Sequence, residues 1–151
     1  MTTVRHKFVE FIPKELDEGI IYVSVEYGTA SHKCCCGCGR KVVTPLSPTD
    51  WAVSVANGRV SLDPSIGNWS FDCRSHYWIK KGQVIWARQW SQEEIDAGRS
   101  YNAMLKERYY SDKSQGRRSS RTTPASQTTS SPRDSPTSLW LRFRKWLSQK
   151  D

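Results

Sequence analysis

A chain of 151 residues has room for one compact domain plus accessory segments, and a hydrophobic fraction of only 36% implies that part of it does not pack. Net charge is +8, but residues 1–110 hold 14 Lys/Arg against 12 Asp/Glu while 111–151 hold 9 against 3, so the basic character sits in the tail and specific nucleic-acid reading by the domain is not expected. No run of 18 apolar residues occurs and the N-terminus lacks the apolar core of a secretory leader, which predicts a cytoplasmic protein whose reduced, clustered cysteines bind metal.

Residues 20–27, IIYVSVEY, are β-branched and aromatic and read as a strand. In WAVSVANGRVSLD, apolar Trp51, Val53 and Val55 alternate with small residues, Asn57-Gly58 supplies a type I′ turn, and Val60 and Leu62 alternate on the return. A second hairpin is predicted over His76–Ala87 around Lys80-Lys81-Gly82. Ser91 and Glu94 form a capping box for a helix that runs to about residue 110 and packs on the sheet through Ile95, Met104, Leu105 and Tyr109. The fold class is therefore mainly β (α+β), a metal-stapled hairpin domain over 1–110 with one C-terminal packed helix.

Residues 111–138 contain no aromatic and one weakly apolar residue, Ala125, and read as a disordered Ser/Thr/Pro/Arg-rich linker. Residues 139–151 read as a short basic amphipathic helix. Trp140, Phe143 and Trp146 fall on its apolar side, with Arg142, Arg144 and Lys145 facing largely away, a pattern suited to a partner's groove or an anionic membrane surface. It could equally dock on its own domain.

The chemistry concentrates in HKCCCGCGR and FDCRSHYW. Zinc takes four tetrahedral ligands from thiolate and imidazole, and a C-x-C turn beside glycine followed later by C-x-x-H supplies them. Extended backbone puts Cys34, Cys36 and Cys38 on one side and Cys35 on the other. The expected quartet is Cys36, Cys38, Cys73 and His76, with Cys34 and then Cys35 in reserve; a Cys35/Cys38 knuckle is the competing pair, and His32 stands at the loop entrance. Two other chemistries compete. Three cysteines and one histidine could carry a [2Fe–2S] cluster, or Cys73 and His76 could form a nucleophile and base. The surplus of ligands favours a closed structural zinc site. SPTD and DPSIGN read as satisfied turns, with a phosphate- or substrate-binding role as the alternative, and no phosphate-cradling glycine loop or paired-carboxylate motif is present. The tryptophans are expected to fill a small core, with Trp69 and Trp90 as the alternative of an exposed partner patch.

CCCGCG at 34–39, VVTPLSPTDW at 42–51, SLDPSIGNWSFDCRSHYWI at 61–79, VIWA at 84–87 and EEIDAGR at 93–99 resemble a small bacterial Cys/His-containing domain family of unknown function. Its members are often encoded beside ubiquitin-like proteins and their E1-like, E2-like and JAB-peptidase-like partners. The resemblance spans roughly residues 20–110 and implies protein partners of that conjugation or defence system. Joined to the metal motif, it predicts a zinc-binding, non-catalytic accessory or adaptor protein, with an iron–sulfur redox protein or a cysteine-dependent enzyme as the alternative.

Overall fold

The computed structural model describes residues 2–119, with side chains to residue 115. Eight strands form two four-stranded sheets. The first has the order β1 (Arg5–Phe8), β2 (Ile20–Ser24), β3 (Thr29–Lys33), β4 (Lys41–Pro45); the second has β5 (Ala52–Ala56), β6 (Arg59–Gly67), β7 (His76–Lys80), β8 (Gln83–Trp86). One helix, α1 (Gln92–Ser119), follows. The chain divides into two compact units at Asn102, and both sheets lie in the first. The mainly β, α+β class expected from the sequence is the class observed.

All pairings are antiparallel except β1 with β2, which run parallel. β2 is buried along its whole length. Ile21 and Val23 fill one face, while Ile20 and Tyr22 pack with Leu16, Val9 and Ile12 on the other. The second sheet alternates more strictly: Val60, Leu62 and Ile66 of β6 and Tyr77 and Ile79 of β7 are buried. Both hairpins of this sheet turn on two residues with positive φ, Asn57-Gly58 (51° and 70°) and Lys81-Gly82 (50° and 74°), the geometry that matches the right-handed twist of the strands.

The capping box at the start of α1 is formed in both directions: the Glu94 amide donates to Ser91 Oγ (3.3 Å) and the Ser91 amide to Glu94 Oε2 (2.9 Å). Ile95 is buried, but Met104 and Leu105 are exposed and Tyr109 is half-buried, so the apolar face expected to continue down the helix is buried only at its start. The helix also runs past residue 110, through nine residues expected to belong to the linker. Local contacts support the extension: Lys113 Nζ lies over the Tyr109 ring four residues earlier (6.0 Å). The expected helix at 139–151, with Trp140, Arg142, Phe143, Arg144, Lys145 and Trp146, lies outside the described residues. Among those residues no helix is long and apolar enough to cross a membrane.

Candidate active site and metal centre

The β3–β4 connection, Cys34–Arg40, is a tight knuckle. Its ends are tied by Cys34 N–H donating to Arg40 O (2.8 Å), and Gly37 N–H donates to Cys34 O (3.1 Å). Gly37 and Gly39 take φ of 85° and 74°, which residues with a Cβ adopt only with strain. The β6–β7 connection is held by Asn68 N–H donating to Ser75 O (2.9 Å) and Arg74 N–H to Phe71 O (2.9 Å). Arg40 of the first loop reaches the second, pairing with Asp72 and lying over the Phe71 ring (5.5 Å). Two turns from different sheets thus meet.

Where they meet, the sulfurs of Cys34, Cys36, Cys38 and Cys73 all lie within 4.8 Å of one another. Thiolates about 2.3 Å from a tetrahedral zinc ion stand about 3.8 Å apart. Cys34 to Cys73 is 3.9 Å, Cys38 to Cys73 3.8 Å and Cys34 to Cys36 3.3 Å, so the group fits a single four-coordinate ion after small adjustments. Asn68 Nδ2 (3.7 Å) and Ser75 Oγ (3.1 Å) approach Cys34 Sγ and form its outer support. Burial pushes the Cys36 thiol up to about 12. Burial opposes ionisation of Cys73 too, but hydrogen bonds with Ser75, Cys36 and Cys38 outweigh it and bring that thiol down to about 7.

Of the quartet expected from the sequence, Cys36, Cys38 and Cys73 come together; the reserve, Cys34, is the fourth member. Cys35 points elsewhere, toward the Tyr77 hydroxyl, and burial pushes its thiol up to about 11. His76 is not in the group. It is the first residue of β7, and both of its ring nitrogens are occupied on the far face. Ser75 and Tyr77 point toward the metal loops and core, so the period of the strand turns His76 away from them.

His76 meets Ser65. His76 Nε2 lies 3.0 Å from Ser65 Oγ, and Nδ1 lies 2.8 Å from the Arg88 carbonyl oxygen. A carbonyl only accepts, so Nδ1 carries the hydrogen and Nε2 is left as the acceptor for the Ser65 hydroxyl. The Ala87 amide fixes this carbonyl's neighbourhood by donating to His76 O (2.9 Å), and Arg88 is tied to Glu94 of the capping box (3.1 and 2.5 Å). That guanidinium holds the Glu94 carboxyl down at about 2. Three indoles enclose the imidazole: Trp69 (4.9 Å), Trp90 (5.3 Å) and Trp78 (5.7 Å). Trp69 and Trp90 stack on each other at 5.6 Å. Rather than filling the core, all three are half-buried around the histidine.

A serine hydroxyl within hydrogen-bond distance of an imidazole that a third group orients is the arrangement nucleophilic acyl transfer requires. As a nucleophile Ser65 is not a sequence candidate, because D-P-S-I-G-N has the composition of a turn. Only the pairing of β6 with β7 reveals it.

No curated protein and no solved structure matches the chain. The model of a family described as "Bacterial ubiquitination-like system serine protease (BubE)" matches residues 8–87, a stretch that takes in all five cysteines, Ser65 and His76. On this match over more than half its length, the chain belongs to the BubE family, a family of bacterial ubiquitination-like systems.

Proposed function

We propose that the chain is a serine peptidase of a bacterial ubiquitination-like system, with Ser65 as nucleophile and His76 as general base. The observation that carries this is the 3.0 Å separation of Ser65 Oγ and His76 Nε2, with Nδ1 held by the Arg88 carbonyl. As Ser65 Oγ attacks a peptide carbonyl carbon, its proton passes to His76 Nε2. The tetrahedral intermediate then collapses, the C–N bond breaks, and His76 returns that proton to the departing amine. Water, deprotonated by the same nitrogen, releases the acyl group. The backbone carbonyl of Arg88 fills the orienting role that a carboxylate has in the Ser-His-Asp arrangement, without adding a charge. The family description supports the reaction class. The substrate on this reading is a polypeptide of the conjugation system, a ubiquitin-like protein or a conjugate of one.

The metal in this reading is a zinc ion on Cys34, Cys36, Cys38 and Cys73, and its role is structural. Four sulfurs around one point leave no open position for water, and a two-iron cluster would need them divided into two pairs around separate metals.

Incubating the full chain with a small alkyl fluorophosphonate tests the nucleophile. The Ser65 oxygen forms the P–O bond, fluoride leaves, and His76 takes the proton. One adduct per chain, on Ser65, is expected. It should be absent in Ser65→Ala and slowed at least about 100-fold in His76→Ala, a loss on the scale of general-base catalysis. No adduct, or one indifferent to His76, would return the protein to the adaptor reading, for which the closed metal site is then the main support.

A further inference from the structure

We infer that the polypeptide substrate binds in extended form, as an added strand along the unpaired side of β6 at Ser65–Gly67. This rests on the assignment of Ser65 as nucleophile.

The hydrogen-bond pattern of β6 dictates which way its peptide groups face. Asn68 N–H donates to Ser75 O, so Asn68 and Ser75 form a hydrogen-bonded pair, and by alternation so do Ile66 and Tyr77. Gly67, opposite His76, belongs to the other class. Its N–H and C=O point away from β7. Consistently, the His76 carbonyl turns to β8 and accepts from the Ala87 amide.

On that outward side β6 has a partner only as far as Asp63, which pairs with Ala52 at the start of β5. The chain before Ala52 does not continue along β6. Trp51 instead bridges Leu46, and its amide donates to Pro45 O (3.1 Å). Pro64 gives a reason for the break, since it offers no N–H to a continuing ladder. Among the described residues, no backbone partner meets the outward groups of Gly67. Ser65 and Gly67 are both half-buried rather than sealed.

A reactive serine therefore stands two residues before Gly67, whose outward N–H and C=O offer a donor and an acceptor on the open edge of β6. Neighbouring strands run about 4.8 Å apart, so a chain added there would bring its carbonyls beside the face on which Ser65 Oγ and His76 lie. A polypeptide is the occupant with matching chemistry. Main-chain pairing of this kind gives affinity with little demand on side-chain sequence.

The test uses the full chain and three probes. The small alkyl fluorophosphonate reports the nucleophile alone. A trialanyl diphenyl phosphonate adds a backbone that can pair, and its fully N-methylated analogue lacks every amide donor. We expect Ser65 labelling by the unmethylated tripeptide to exceed labelling by the methylated one by at least about tenfold, the worth of one lost hydrogen bond. Exchange of the Gly67 amide should slow in the tripeptidyl adduct and not in the small one. Ser65 labelled by the small probe, with equal rates for the two tripeptides (both fast or both zero), overturns strand addition and leaves the nucleophile standing. Failure of the small probe overturns the serine assignment and the inference with it.

Discussion

Ser75 and His76 are consecutive, yet they serve different centres: Ser75 Oγ lies 3.1 Å from Cys34 Sγ, and His76 Nε2 lies 3.0 Å from Ser65 Oγ. The alternation of side chains at the start of β7 sends one to the sulfur cluster and the next to the serine. The cysteine loops consequently anchor the strand end that presents His76. Cys73 enters the cluster three residues before His76, so a cation bound there would fix the β6–β7 connection on which the Ser65–His76 distance depends.

The two centres should separate on mutation. His76→Ala is expected to retain about one metal per chain by elemental analysis while losing Ser65 labelling, because its ring points away from the sulfurs. Cys35→Ser should likewise keep the metal. Cys34→Ser and Cys73→Ser should lose it, together with most of the domain's stability, since structural zinc is worth on the order of 10 kcal/mol and a small domain only about 5–15. Loss of metal in His76→Ala with retention in Cys34→Ser would restore the quartet read from the sequence.

Much of this architecture is legible without coordinates, and the parts that are not share a cause. Asn57-Gly58 and Lys81-Gly82 announce their hairpins because positive φ is a local demand met by few residues. The knuckle is legible for the same reason, through Gly37 and Gly39. β1, with the sequence RHKF, is not: its parallel pairing with β2 leaves no local turn and no alternation of apolar residues. β3, reading TASHK, is buried through small and polar residues and resembles a loop. C-x-x-H spacing makes His76 look like a ligand even with a strand starting there; the alternation of that strand sends its ring to the face opposite Ser75 and Tyr77. Ser65 is invisible for a related reason, its partner being eleven residues away across a ladder whose register shifts between Leu62 and Ile66.

Gly67 is the position at which a small change should disturb the Ser65–His76 pair most selectively. A Cβ built there would stand 2.4 Å from Trp69 Nε1 and 2.5 Å from Cε2, closer than real contacts allow. The indole cannot simply swing aside, because it stacks on Trp90 and packs against His76. Gly67→Ala should cost about 1–3 kcal/mol of stability from overpacking and should slow Ser65 labelling beyond what that loss explains. The check is labelling rate measured far below the unfolding midpoint, alongside near-ultraviolet circular dichroism of the tryptophans. A variant with unchanged labelling and unchanged tryptophan signal would show that the Trp69 stack does not position His76.

Acid should weaken the fold through His32, which joins the two sheets by placing Nε2 2.9 Å from the Tyr77 hydroxyl. Burial holds this imidazole down to about 4, against an ordinary value of 6.5. Its Nδ1 is buried and has no hydrogen-bond partner among the described residues, so a proton taken up there would be an uncompensated buried charge. The sign follows from linkage. Between pH 6.5 and about 4 the unfolded chain holds more protons than the folded one, so this contribution is complete above 6.5 and declines progressively until about pH 4. The loss from this residue alone approaches about 3 kcal/mol across the window. Thiolate protonation also releases metal in acid, so the informative quantity is the difference between wild type and His32→Gln. Urea unfolding at pH 7, 6 and 5 should show a steeper decline in the wild type, by up to about 1.4 kcal/mol per pH unit, the slope of one proton. Parallel declines would mean that His32 takes up its proton without opening the contact between the sheets.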